Sequence, residues 1–195
     1  KPEDILNPSN ALKTVASPES GRYTGAGEIL KVTASEKGKR TIQLDSNGLV
    51  QTETYDKLPK PFEMARYGKS QKKEVVLTFD DGPDPTYPPQ ILDILDKNHI
   101  KGTFFIVGEN ALMHPGFVKR INKEGHEIGN HTFTHPDISS ITPSRMRMEL
   151  NANQRLFQEI TGHTMTLFRP PYVSDTELGK KSQQVSILQA QEMGY

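Results

Sequence analysis

Four short segments of strand length punctuate this chain from residue 75 onward: VVLTF (75–79), GTFFIV (102–107), HEIGNH (126–131) and MTLF (165–168). Stretches with helical spacing separate them. Strands buried on both faces read as unbroken apolar runs, and strands that alternate with helices join through crossovers into a parallel sheet. The helices announce their own ends. Thr86 precedes Pro88 and Pro89, and Ile91, Leu92 and Leu95 then recur on one face. PGFVKRINKEG (115–125) predicts a short helix ended by Gly125. Thr142 and Pro143 form an N-cap and first-turn pair for a helix striped by Met146, Leu150, Asn153, Phe157 and Ile160 and stopped at Gly162. Asn153 is the one polar break in that stripe. A last helix is predicted from about Ser182 to Met193. The alternation gives an α/β fold with a parallel sheet over residues 74–195.

Upstream the style differs. Residues 1–22 are polar and broken by Pro2, Pro8 and Pro18, and read as a tail or connector. Residues 23–73 read as a small β-rich segment with a linker. EILKVTA (28–34) alternates apolar and polar residues, TIQL (41–44) resembles a second strand, and DSNG (45–48) is a turn leading into LVQTETY. The expectation is a β meander over roughly 23–55, after which LPKPFEMARYGKSQKK is a linker stiffened by Pro59 and Pro61.

Lys+Arg and Asp+Glu balance at 24 each, so the chain lacks the basic face that nucleic acid or an anionic membrane surface demands. No apolar run approaches the roughly 18–20 residues of a membrane span. Cysteine is absent, which excludes disulfides, thiolate zinc sites and a cysteine nucleophile. Any metal must therefore be held by histidine and carboxylate. The chain begins at Lys1 with no signal-like segment, and reads as an excised or processed piece.

Reactive groups in βα architectures sit at the carboxyl ends of strands. Three polar clusters occupy that position: Asp80-Asp81-Gly82-Pro83, His131 to His135, and Arg169-Pro170-Pro171-Tyr172. His131 and His135 are four apart, so in a helical turn both rings would face one point. Two imidazoles and a carboxylate make the open set that catalytic zinc prefers. Taken alone, the pair is weak evidence, since such a spacing more often marks two solvated or capping histidines. Adjacent aspartates in an extended segment point to opposite sides, so one can ligate metal while the other faces the water it activates. The bland alternative is a turn or helix cap. RPPY is either a rigid turn or a device that pairs Arg169 with a carboxylate and aims a backbone N–H at a reacting carbonyl. His126 lies at the opposite edge and reads as structural; His99, His114 and His163 carry no assigned role.

TFDDGPD (78–84), HTFTH (131–135) within HEIGNHTFTHPD, and RPPY (169–172) resemble, in order and spacing, the first three motifs of the NodB-homology polysaccharide deacetylases, carbohydrate esterase family 4. GTFFIVGENA (102–111) resembles the family's second-strand region. The resemblance implies a distorted (β/α) barrel of NodB type, truncated here, that removes N-acetyl or sometimes O-acetyl groups from a polysaccharide. GlcNAc-containing polymers, chitin-like glycan or peptidoglycan, are the implied substrates. By the same resemblance Asp81, His131 and His135 bind a divalent metal, Zn²⁺ foremost, with Co²⁺, Ni²⁺ and Mn²⁺ as alternatives. Asp80 would be the general base, Arg169 would orient it, and Tyr172 would offer a backbone N–H to the oxyanion.

The family's later motifs, which supply the general acid, would lie beyond Tyr195. The expectation is a chain that stops mid-domain, binds metal weakly or not at all, and shows little or no activity by itself. Residues 21–62 resemble the connector of multi-module bacterial proteins, which implies an extracellular or cell-envelope location within a larger protein. Two other readings compete. A catalytically inactive glycan-binding relative has no use for Asp80, and the HxxxH pair disfavours the metal-free small-molecule amidohydrolases of the same fold.

Overall fold

The computed structural model describes residues 12–27, 29–172 and 181–195, and the chain divides into two units between Ser70 and Gln71. In the first unit β1 (Thr14–Val15), β2 (Arg22–Gly25), β3 (Ile29–Thr33), β4 (Gly38–Leu44), β5 (Val50–Lys57) and β6 (Glu63–Tyr67) form two three-stranded sheets, ordered β1-β4-β5 and β2-β6-β3. The expected DSNG turn joins β4 to β5. Asp45 Oδ1 accepts the N–H groups of Asn47 and Leu49 at 2.8 and 2.9 Å, and Gly48 supplies the positive φ of 80° that the turn needs.

The meander itself is not what forms. β3 pairs antiparallel with β6, from Ile29 opposite Tyr67 to Thr33 opposite Glu63, rather than with β4. β2 lies parallel to β6 on its other side. The stretch read as a linker thus contains the central strand of a sheet. Its prolines, Pro59 and Pro61, fall before the strand, where no ladder donor is lost. Phe62 and Met64 bury their side chains there, as does Val32 of β3. The supposed tail is also partly structured, since Thr14 and Val15 pair with β4; residues 1–11 lie outside the described residues.

The second unit runs β7 (Thr78–Asp80), α1 (Tyr87–Lys97), β8 (Thr103–Ile106), α2 (Gly108–Met113), α3 (Pro115–Lys123), β9 (Glu127–Asn130), α4 (Pro143–Thr161) and α5 (Lys181–Glu192). β7, β8 and β9 form a parallel sheet in that order, as the alternation predicts. MTLF reaches the sheet only as a single parallel bridge, Phe168 to Asn130, with Asn130 N–H donating to Leu167 O and Arg169 N–H to Asn130 O. Among the described residues the sheet is open. Leu92 and Leu95 of α1, Phe104 and Ile106 of β8, Val118 and Ile121 of α3, and Phe157 of α4 close the core around it. Each such side chain contributes roughly 1.5–3 kcal/mol through removal from water.

The apolar run VVLTF is the main departure. Only its last two residues join β7, and Val75 and Val76 are 88% and 76% exposed. β7 has β8 on one side and, among the described residues, no strand on the other. Caps follow the sequence more closely. Thr142 Oγ1 accepts Arg145 N–H at 3.2 Å, and Gly162 ends α4 in the left-handed conformation. Thr86 stands at the start of α1 but makes no side-chain cap; Asp84 Oδ1 accepts the Thr86 N–H instead, at 2.7 Å. Among the described residues no helix is long and apolar enough to cross a membrane.

Candidate active site

The carboxyl ends of β7 and β9 and the segment after the Phe168 bridge bring the three polar clusters to one edge of the sheet. Asp80 is the last residue of β7, and Asp81 turns out of the strand with φ 68°. The two carboxylates part company there. Asp80 Oδ1 accepts from Arg169 Nη1 at 2.8 Å, and the same nitrogen donates to Thr78 Oγ1 at 2.9 Å. The guanidinium lies 4.2 Å from the Phe105 ring centre, a face that favours a planar cation. Asp81 Oδ1 lies 3.2 Å from His131 Nε2 and 2.9 Å from His135 Nε2, and the two nitrogens are 3.3 Å apart. One ligand atom from each of Asp81, His131 and His135 falls within 4.8 Å of the others.

The two histidines do not converge through a helical turn. His131 to His135 form a loop in which Thr132 and His135 take positive φ values of 67° and 56°. Groups outside the loop impose that path. Asn153 Nδ2 donates to Thr132 O at 2.8 Å, as well as to Ile106 O and Asn130 Oδ1. Gly108 N–H donates to Thr132 O, and a Cβ at Gly108 would sit 2.2 Å from the Phe133 ring, so only glycine lets the loop lie this close. Glu149 receives the N–H groups of Phe133 and Thr134.

The hydrogen bonds fix what the ring nitrogens can do. His131 Nδ1 is 2.7 Å from the Arg169 carbonyl, which can only accept, so Nδ1 carries the proton and Nε2 presents its lone pair. That lone pair faces the Asp81 carboxylate, an acceptor facing an acceptor at 3.2 Å. A positive centre between them would satisfy both. A proton is a poor candidate, because burial pushes the His131 pKa below its usual value, even though the Arg169 carbonyl and the two aspartates pull upward. A divalent cation fits, since one carboxylate oxygen and two imidazole nitrogens leave a coordination position open. The histidine–carbonyl contact is the outer support common to such ligands.

Tyr172 is 74% exposed, with φ 57°, and its ring meets His135 edge-on at 4.7 Å between centres. His126 sits at the amino end of β9, where its buried Nδ1 accepts from Gly102 N–H at 3.2 Å. Reading the sequence alone overlooks three groups. Asn110 Nδ2 donates to the Asp81 carbonyl at 2.6 Å, Thr78 shares Arg169, and Glu149 holds the histidine loop. Only Glu149 carried a signal: a charge one position before Leu150, inside the stripe that Met146, Leu150 and Asn153 bury.

The family model for polysaccharide deacetylases matches residues 67–195. A peptidoglycan-N-acetylglucosamine deacetylase of Bacillus cereus is 44% identical over 105 residues, covering 54% of this chain and 38% of that protein. The peptidoglycan-N-acetylmuramic acid deacetylase PdaA of Bacillus subtilis is 40% identical over 105 residues, 53% of this chain and 40% of its own length. The solved structure of the B. subtilis protein, a family 4 carbohydrate esterase, superposes with a TM-score of 0.56 at 33% identity, covering 66% of this chain and 52% of that one. The solved structure of the Bc1960 peptidoglycan N-acetylglucosamine deacetylase, crystallised with a naphthalenyl N-hydroxybenzamide, gives 0.56 at 38% identity, with 64% and 55% covered. The chain thus spans less than half the length of the two curated relatives. With the motifs, the site geometry and a match over most of its residues in agreement, the chain belongs to the polysaccharide deacetylase family.

Proposed function

We propose that the second unit carries the metal-binding and base-bearing part of a deacetylase site, set in a distorted (β/α) barrel of NodB type, that hydrolyses N-acetyl groups of peptidoglycan at the bacterial cell envelope. The observation that carries this reading is the separation of the two aspartates: Asp81 faces two imidazoles, while Asp80 is turned to Arg169. A binding-only protein has no need for that division. The relatives' substrates favour peptidoglycan over other acetylated polymers.

Asp81 Oδ1 and the Nε2 atoms of His131 and His135 would hold a divalent ion, Zn²⁺ by the preference of a His₂Asp set. When bound, that ion supplies Lewis-acid polarisation of the acetyl carbonyl and acidification of water. Asp80 acts as general base toward the attacking water, held by Arg169 through Oδ1 so that Oδ2 remains for the proton. The Tyr172 backbone N–H, in the turn after Pro170 and Pro171, is assigned to the developing oxyanion. The proton must then reach the departing nitrogen, since an amide anion is too basic to leave.

The test is acetate release from peptidoglycan and from acetylated chitooligosaccharides by the protein at its full natural length. Release that depends on added zinc and is lost in Asp80→Asn and His131→Ala is expected. Undiminished release in both variants would reject the assignment.

A further inference from the structure

The loop between the two histidine ligands has five consecutive amide N–H groups, none bonded as in a helix. His131 donates to Ile106 O at 3.0 Å and Thr132 to Asn130 Oδ1 at 2.9 Å. Phe133 and Thr134 both donate to Glu149 Oε2, at 2.9 and 2.7 Å, and His135 donates to Thr132 Oγ1 at 3.1 Å. Glu149 therefore supplies the only charged acceptor in the series, and it supplies it twice. Its other oxygen accepts Thr134 Oγ1 and Arg145 Nε, each at 2.8 Å. The residue is 2% exposed. A carboxylate buried to that degree is costly unless its lone pairs are filled and its charge is met, and here both conditions hold.

The scaffold behind it is rigid. Met146 and Leu150, on either side of Glu149 along α4, are fully buried, and one turn on Asn153 grips the Thr132 carbonyl. Thus α4 reaches across to the loop through the donor Asn153, the acceptor Glu149 and Arg145, whose Nη2 donates to Thr134 Oγ1 at 3.3 Å. Among the described residues neither the Glu149 nor the Asn153 side chain hydrogen-bonds to the side chain of Asp81, His131 or His135. Without Glu149 the Phe133 and Thr134 amides would lose their acceptor, and the positive φ values at Thr132 and His135 would lose one of the contacts that enforce them.

We propose that Glu149 is the positioning residue of the metal centre: by holding the Phe133 and Thr134 amides it sets the separation and angle of the His131 and His135 nitrogens. The inference rests on reading Asp81, His131 and His135 as metal ligands. Reach matters more than charge in this role. Glutamine keeps the length and an acceptor oxygen for the two amides, its amino group can donate to Thr134 Oγ1, and Arg145, half exposed, can turn to solvent. Aspartate keeps the charge but ends one methylene short.

The experiment compares Glu149→Gln, Glu149→Asp and Glu149→Ala in the whole chain. Zinc affinity is read by competition with a chromophoric chelator, and amide hydrogen exchange at Phe133 and Thr134 is read by NMR on the metal-free protein. Glu149→Gln is expected to bind zinc nearly as wild type does. Glu149→Asp and Glu149→Ala should lose on the order of 10–100-fold, the usual cost of removing an outer support. The two amides should be protected in wild type and Glu149→Gln and exchange freely in Glu149→Ala, while Phe104 of β8 keeps its protection. A merely structural role would lower melting temperatures and leave the affinity of the folded variants unchanged, and that result would overturn the proposal. If Glu149→Ala does not fold, the Gln–Asp pair decides, and an aspartate variant that binds zinc better than the glutamine variant would also overturn it. A wild-type chain that binds no zinc would bring down the metal reading itself, which separates that failure from this one.

Discussion

A buried histidine stands at each end of β9, and each faces a carboxylate, yet the two do opposite things. At the carboxyl end His131 donates through Nδ1 to the Arg169 carbonyl and turns a lone pair toward Asp81. At the amino end His126 accepts through Nδ1 from Gly102 N–H, so its Nε2 carries the proton and points at Glu124 Oε2, 3.6 Å away. Neither that nitrogen nor that oxygen has a closer partner. Donor faces acceptor at His126, although at 3.6 Å the two buried atoms form no hydrogen bond. Acceptor meets acceptor at His131, and a second imidazole stands 3.3 Å off, so the site calls for a cation. The partner on the far ring nitrogen, more than burial or a neighbouring carboxylate, separates a ligand from a structural histidine.

The largest expected effect contrasts the two carboxylates. Asp80→Asn should lower acetate release by about 10²–10⁴-fold, the range for loss of a general base, while zinc binding persists. Glu124→Gln, at the amino end, should leave acetate release unchanged. Assays of the full-length protein that show equal losses would erase the distinction between the two edges.

Metal affinity sharpens the comparison next. His131→Ala should weaken zinc by more than the roughly 10–100-fold that an outer support costs. His126→Ala should leave zinc binding intact and cost about 1–3 kcal/mol of stability, because the Gly102 N–H is left without its acceptor. Chelator competition and denaturant melts read the two quantities separately, and a zinc deficit in His126→Ala would break the contrast.

The smallest effect is on acid stability. Burial, first, and Lys101 hold the His126 pKa below its ordinary 6.5, and burial does the same for His131. A depressed pKa means the unfolded chain takes up the proton first. Stability from both groups is therefore full above pH 6.5 and declines as pH falls toward their folded values. Glu149 adds a second window. Burial raises its pKa, but hydrogen bonds from Thr134, Phe133 and Arg145 outweigh that and hold it below the usual 4.5, so its contribution is lost as pH falls below 4.5. Melting temperatures of the metal-free chain across pH 4–8 should fall below pH 6.5, and His126→Ala should flatten part of that slope. A profile unchanged by the substitution would contradict the assignment to His126.

Much of this was legible before any coordinates. GTFFIV and HEIGNH read as buried strands because their faces are covered on both sides, and α4 declared itself through Thr142, Pro143 and Gly162. Residues 63–67 did not, because their partners are β2 and β3, some thirty to forty positions back, and pairing at that distance leaves no local pattern. VVLTF misled for a related reason: an apolar run reports what a strand could bury, not what lies beside it. The HxxxH spacing suggested a helix, whereas the convergence is enforced by side chains fifteen or more residues away on α4. Asn153 looked like a flaw in an apolar stripe and is instead one of the loop's anchors.

The central claim is that zinc binds between Asp81, His131 and His135 with the His131 proton kept on Nδ1. Imidazole nitrogen NMR of the whole chain, before and after one equivalent of zinc, tests it directly. The Nε2 resonances of His131 and His135 are expected to shift to metal-bound positions, His131 Nδ1 to stay protonated, and both His126 nitrogens to stay where they were. Zinc-induced shifts at His126, or unmoved rings at His131 and His135, would contradict it.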